Sequence, residues 1–490
     1  MTAMILWFVV AMYLQQDVGL ADNGDFTRSM QWITSGPVGI EPNWPDPGTE
    51  AWSKRFFNYW IPYWNLEWNT RIPTTSAILL WFPGALLNYY LYSPAILYLP
   101  SLSLFPKLLL FGALLLLLKW TRLQARHRTF FVFGLGVPLT LLVTSTEYVA
   151  YLNSFYQESA SFVFLFLFLA SIVVLRQRPR RLNLLLSLAL LLFLTTSKAS
   201  NVYWPLMLIP LVYLVWTRHR NATQHTKLMV GAASTLVLMF ALASLLVIRR
   251  GSTRSYPYHS LFIGVLTFSE TPSEHLRRLG IEDGMQCIGS SSFSSIGREC
   301  LARYQEQMTF RNTLKVIYRE PPVLSRSLEY ALDNMQDVSL DYLGKYPLGD
   351  PRTQVLPLID GGRSDEWPLL NLWVSLKQGL FPTGYTLAVI LLVFAGWFMF
   401  SLTQTSLPQD LAIVGLVSTF ACGVDMTVAI LGDGKQELVK HLFLSNLLFD
   451  IAAIAFLNGI LVFCFERIRT KSSRADLQQE QVARALLTLG

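Results

Sequence analysis

Apolar positions along this chain fall in long unbroken runs joined by short polar segments. Leu108–Leu118, Phe162–Leu175 and Leu236–Ile248 are examples. Water-soluble folds seldom pack such runs, whereas a bilayer core takes about 20 apolar residues per helix. Spanning candidates lie near 5–21, 103–119, 129–146, 161–175, 182–196, 202–217, 228–248, 381–402, 410–430 and 442–465. The pattern therefore predicts an all-α polytopic membrane protein of about ten transmembrane helices. Residues 77–99 are also apolar, but Pro83, Pro94 and Pro100 interrupt them. They are expected to form an interfacial or re-entrant hairpin, since proline breaks a helix interior. The plain alternative is one more spanning helix.

Charge then orients the pattern. Lys119, Arg122, Arg126 and Arg128 fall on one side, as do Arg176, Arg178, Arg180 and Arg181. Arg218, Arg220 and Lys227 follow, and then Arg467, Arg469, Lys471 and Arg474 in the tail. The intervening loops at 146–160 and 197–201 carry only Lys198. The positive-inside rule makes the basic side cytoplasmic. The chain divides into a transmembrane module over 1–248 and an irregular, Pro-, Gly- and Ser-containing outer domain over 249–380. Further transmembrane helices over 381–466 and a cytoplasmic tail over 467–490 complete it, with 475–489 as a short amphipathic helix. Met1–Ala21 reads either as a first span or as a signal peptide, although no basic residue precedes its apolar run.

Composition narrows the class. Apolar residues make up 52% and charged residues only 14%, against about a quarter charged in soluble chains. The net charge of +7 sits in topology-setting loops, so no nucleic-acid partner is expected. No P-loop, dinucleotide fingerprint or His-rich metal spacing is present, so no cofactor is required, and a divalent metal is allowed but not indicated. Cys422 and Cys464 lie in apolar runs. Cys287 and Cys300 lie thirteen positions apart in the outer domain, where an oxidising compartment favours a disulfide.

Candidate chemistry gathers on the outer face. The first outer loop opens with Asp22-Asn23-Gly24-Asp25-Phe26-Thr27-Arg28. A carboxylate there, Asp25 or Asp22, is placed to take a proton from an acceptor hydroxyl; the plain alternative is that both acids only form a turn. The second outer loop carries Asn153, aromatic Tyr151, Phe155 and Tyr156, and Glu158 at the membrane boundary. An acid at that depth needs a cation, a metal or a sugar hydroxyl as partner. The third outer turn, Ser197-Lys198-Ala199-Ser200-Asn201, holds a single base. A phosphate partner explains Lys198, and so does snorkelling from a helix end. Arg249, Arg250 and Arg254, with His259 after them, form an outer basic cluster suited to phosphate oxygens or to pairing with the outer acids. The tryptophans of 44–68 suggest an interfacial helix or a saccharide platform. Asp425 stands alone within an apolar run.

This layout resembles the GT-C glycosyltransferases, membrane enzymes that take sugars from polyprenyl-phosphate donors on the non-cytoplasmic face. The resemblance rests on the Asp22–Arg28 loop, on Asn153-Ser154-Phe155-Tyr156-Gln157-Glu158, and on the Ser197–Asn201 turn, and it covers roughly 1–260. It implies a GT-C-like fold with an extracytoplasmic cap, and Asp25 as catalytic base with Asp22 as second choice. Glu158 is the second-loop acid. Donor contacts fall to Arg28, Asn153, Tyr156, Lys198, Asn201, Arg249, Arg250, Arg254 and His259. The pattern is also similar to bacterial arabinofuranosyltransferases acting on cell-envelope glycans or pilins, which implies an inner membrane with the site facing the periplasm. Two rivals remain at this point. A polysaccharide polymerase or ligase would lean on Arg250, Arg254 and His259. A lipid-linked glycan transporter would need repeats and broken mid-membrane helices, and no repeat is evident.

Overall fold

The computed structural model describes residues 2–21, 25–30, 33, 50–61, 64, 66, 75–121, 132–217, 231, 234–239, 255–347, 368–381, 383–404 and 409–488. Helices dominate. The only sheet among the described residues pairs Trp60–Ile61 antiparallel with Leu97–Tyr98, Trp60 opposite Tyr98 and Ile61 opposite Leu97.

Among the described residues five helices are long and apolar enough to cross a bilayer: Leu99–Lys119, Glu158–Gln177, Gly384–Thr403, Leu411–Asp433 and Phe443–Ile468. A sixth is gained if Val132–Val143 and Thr146–Leu152, which meet at 52°, count as one broken span. Among the described residues the expected ten is therefore not confirmed. The first expected span, 5–21, stops as a helix at Leu14, 13 residues long. Arg181–Ser197 has 17 residues and Trp204–Thr217 has 14, each short of the 20 or so that a straight crossing takes. The expected span 228–248 lies largely outside the described residues.

The segment 77–99 folds back on itself. Helix Ile78–Leu87 holds Pro83 in its interior rather than ending there. The reversal comes later, after a π-turn over Asn88–Tyr92. Asn88 staples it, its amide donating to the carbonyls of Ser93 (2.9 Å) and Ile96 (2.8 Å) while its oxygen accepts from the Tyr98 amide (2.9 Å). A buried asparagine satisfied on both sides specifies one turn geometry. The returning chain enters Leu99–Thr121, against which the first arm packs so closely that a Cβ on Gly84 would overlap the Leu102 backbone.

Two cores result. The larger unites the transmembrane helices with Ala331, Met335, Val338 and Leu343 from the end of the expected outer domain. The smaller belongs to that domain's first part, where Tyr258, Phe262, Leu276 and Val316 surround the bonded pair Cys287–Cys300, whose Cα atoms are 5.9 Å apart. A disulfide closing a 13-residue separation typically stabilises by about 3 kcal/mol. Reduction is therefore expected to lower the unfolding temperature, which thermal scans with and without reductant will show. The last helix runs unbroken over Phe443–Thr488, so the expected tail helix at 475–489 is its continuation.

Candidate functional site

Three loops converge because small residues let them. Gly19 pairs with Lys345 in an isolated bridge, and a Cβ there would overlap the Asn153 backbone. Asn153 fastens the same loop, donating to the carbonyls of Gln15 (2.8 Å) and Val18 (2.6 Å) while its own carbonyl accepts from the Leu20 amide (3.0 Å). Helix Asp25–Met30 then sets Phe26 edge-on to Phe155, ring centroids 4.9 Å apart. Asp25 is 7% exposed.

Glu158 opens helix Glu158–Gln177, where the helix dipole favours a negative charge. Lys198 leaves helix Arg181–Ser197 in extended conformation and meets it, Nζ to Oε1 2.7 Å, both side chains largely buried. Asn201 shapes this turn, donating to Ser161 Oγ (2.8 Å), Ser197 Oγ (2.9 Å) and the Leu194 carbonyl (3.1 Å). Asn153 and Asn201 thus brace the loops that carry the charges.

The remaining members come from the turn after helix Leu411–Asp433. Gly434 adopts φ +63°, and a Cβ would overlap the backbone of Ile263 and Gly264. Glu437 is left-handed at φ 44°, a conformation that a non-glycine residue holds only under constraint. Its carboxylate supplies that constraint, pairing with Lys440 and accepting from the Tyr342 hydroxyl at 2.6 Å. Tyr342 in turn lies 3.3 Å from the Tyr156 hydroxyl, and Lys440 Nζ stands 4.8 Å from the Tyr156 ring centroid.

A second line of contacts runs beside it. Lys198 Nζ lies 3.1 Å from His441 Nδ1. An ammonium has protons only to donate, so Nδ1 accepts, and Nε2–H faces Asp433 at 3.4 Å. His259 Nε2 accepts from the Ser292 amide (3.2 Å), which leaves its Nδ1–H toward the other Asp433 oxygen at 3.5 Å. The series Glu158, Lys198, His441, Asp433, His259 and Ser292 is continuous, with the His441 imidazole neutral.

Electrostatics follows from burial and neighbours. Burial pushes the His441 imidazole down, and Lys198 and Lys440 add to it against the pull of Asp433, leaving it at about 4. Burial would raise Glu437, but Lys440, its hydrogen bonds and His441 hold it at about 2. Burial would lower Lys440, yet Glu437, Asp25 and Glu158 raise it well above the ordinary lysine range, so it stays charged. A histidine whose folded value lies below its unfolded value of 6.5 gives stability that is full above 6.5 and is lost as pH falls through about 4. Wild type is therefore expected to lose more thermal stability than His441→Gln between pH 6.5 and 4.5, above the range where Glu437 titrates. Equal losses in thermal scans would contradict the neutral-imidazole assignment.

Of the residues singled out from sequence, Asp25, Tyr156, Glu158, Lys198 and His259 belong to this assembly. The Arg28 backbone lies in helix Asp25–Met30, its side chain outside the described residues; Asp22, Arg249, Arg250 and Arg254 also lie outside them. Tyr342, Asp433, Glu437, Lys440 and His441 were not anticipated. For the last four the signal was present, since the stretch 433–441 puts five titratable side chains between two apolar runs. Among the described residues no group of three His, Cys, Asp or Glu is arranged to hold a metal ion.

Residues 1–482 match the family described as the YfdI N-terminal transmembrane domain. The chain belongs to this family. It is an integral membrane protein, as its helices require. No curated protein matches it. Among solved structures it is similar to ArnT from Cupriavidus metallidurans bound to undecaprenyl phosphate, at 14% identity and a TM-score of 0.30, over 94% of this chain and 77% of that one. The apo structure of the same protein gives 12% and 0.24, over 94% and 78%. Likeness at that level carries no argument about chemistry.

Proposed function

We propose that this YfdI-family chain is a GT-C-type glycosyltransferase that moves a sugar from a polyprenyl-phosphate donor to an acceptor hydroxyl at the extracytoplasmic face. The observation that carries the reading is the convergence of Asp25, Glu158 and Lys198 from the outer loops with Lys440 from the turn at 433–441, Glu158 pairing with Lys198 at 2.7 Å and Lys440 being raised by Glu437 and then by Asp25 and Glu158. Nucleophilic displacement at an anomeric carbon needs a base for the incoming hydroxyl and cations for the departing phosphate. Asp25 takes the acceptor proton. The acceptor oxygen bonds to the anomeric carbon as the carbon–oxygen bond to phosphate breaks, and the lipid phosphate leaves with the electron pair.

Lys198 and Lys440 neutralise that charge, with the Arg249, Arg250 and Arg254 cluster assigned to the same task from sequence. Glu158, bound to Lys198 at 2.7 Å, aims the ammonium rather than acting as base. Tyr156 offers an aromatic wall for the sugar ring or the isoprenoid. The acceptor is a cell-envelope glycan or protein.

The test is purified protein in liposomes holding a radiolabelled polyprenyl-phosphate sugar. Label passing to an acceptor with release of lipid phosphate supports transfer. Movement of the intact lipid-linked sugar between leaflets without release would make the protein a transporter. The face is tested by thiol labelling after Cys464→Ser, since Cys464 is exposed. With basic loops inside and the disulfide-bearing domain outside, an impermeant reagent applied to intact cells should label Asp283→Cys and not Arg178→Cys. The reverse pattern would invert the topology.

A further inference from the structure

Helix Phe310–Arg319 buries Thr313 and Val316 in the smaller core. Its opposite side is not the polar face that a helix of a soluble domain shows to water. Phe310, Leu314 and Tyr318 are 43%, 61% and 87% exposed, and four-residue spacing sets them in one stripe along the helix. The position after each is basic and exposed: Arg311, Lys315 and Arg319. An apolar stripe thus runs beside a cationic one for the whole length of the helix.

Its height relative to the bilayer follows from two contacts. The Thr313 hydroxyl lies 3.1 Å from that of Ser260, which donates to the Leu431 carbonyl at 2.5 Å. Leu431 stands two residues before the end of the span Leu411–Asp433. The helix therefore sits two side chains, Thr313 and Ser260, away from the level where a transmembrane helix leaves the hydrocarbon. Phosphates and the first methylenes of the lipids occupy that level, and they ask for this pairing of stripes. Apolar side chains sink between the acyl chains while Lys and Arg meet the anionic headgroups.

We infer that helix Phe310–Arg319 lies in the headgroup layer on its side of the membrane and docks the disulfide-bearing domain onto anionic phospholipid. The inference does not depend on the proposed reaction.

Nitroxide scanning tests it on the full chain in nanodiscs, with Cys464→Ser to remove the exposed thiol. Spin labels are placed at Leu314→Cys, at Tyr318→Cys in case the first variant fails to fold, and at exposed Glu282→Cys as reference. In phosphatidylglycerol discs the labels at 314 and 318 should collide more with oxygen than with an aqueous nickel chelate, and the label at 282 the reverse. Replacing Arg311, Lys315 and Arg319 by Gln, or the lipid by phosphatidylcholine, should shift 314 and 318 toward the nickel chelate. Preference for nickel in anionic discs would overturn the inference. So would shielding from both reagents, which would mean a protein partner, or indifference to lipid charge.

Discussion

Asp25→Asn should leave the protein folded and able to hold donor while transfer falls by a factor on the order of 10² to 10⁴, the usual worth of a general base. The substitution keeps the size of the side chain and removes one charge. Asp25 opens a short helix held by Phe26 against Phe155, a contact that the substitution leaves in place. Lys440 loses one of the three carboxylates that raise it, but Glu437 remains paired with it. Lys198→Ala should act differently. It strands Glu158, whose ion pair lies at 2.7 Å, and weakens donor binding more than turnover, because an ammonium that meets phosphate acts in the ground state as well. The measurement is transfer from radiolabelled lipid-phosphate sugar at matched expression, with saturation curves for each variant. Wild-type transfer by both Asp25→Asn and Asp22→Asn would remove the base assignment.

The largest stability effect is expected away from the site. Lys377 lies 3.2 Å from Asp450, their side chains 3% and 0% exposed. Lys377 also donates to Asn446 (2.6 Å), and the Tyr148 hydroxyl donates to Asp450 (2.5 Å). The cluster ties helix Leu372–Leu380 to the last transmembrane helix and to helix Thr146–Leu152. Breaking a buried pair on one side leaves an uncompensated charge, at about 3–5 kcal/mol. Lys377→Ala should unfold at a distinctly lower temperature in detergent. Lys377→Met combined with Asp450→Asn should recover most of the loss, since removing both charges is often neutral. A single variant as stable as wild type would show that the pair is hydrated.

Local chemistry decided the class of this protein. Apolar runs such as 162–175 and 443–465 have no stable place except a bilayer or a large core, and that constraint is written residue by residue. The charged loop residues were legible in the same way: Asp25, Glu158 and Lys198 stand at helix ends, where a charge can reach the membrane surface. Helix ends were harder. The first helix stops at Leu14 because the following segment is drawn into contacts with Asn153 and Lys345, partners more than a hundred positions away. Pro83 sits inside its helix, because the return of the chain was set by Asn88 rather than by ring sterics.

The site divides in the same way. Each loop's charge was legible, but which charges meet depends on the turn at 433–441, brought against residues 259–264 by Gly434. Hydropathy sees that turn only as a polar gap between two spans. Its geometry comes from a left-handed glycine fitting another backbone and from Glu437 held by Lys440 and Tyr342. Asn153 and Asn201, read as donor contacts, also donate to neighbouring loops, and no local pattern in the sequence signals that an amide braces a turn. Burial and charge placement are short-range properties of a chain; the pairing of buried charges is a property of its packing, and only the folded protein shows it.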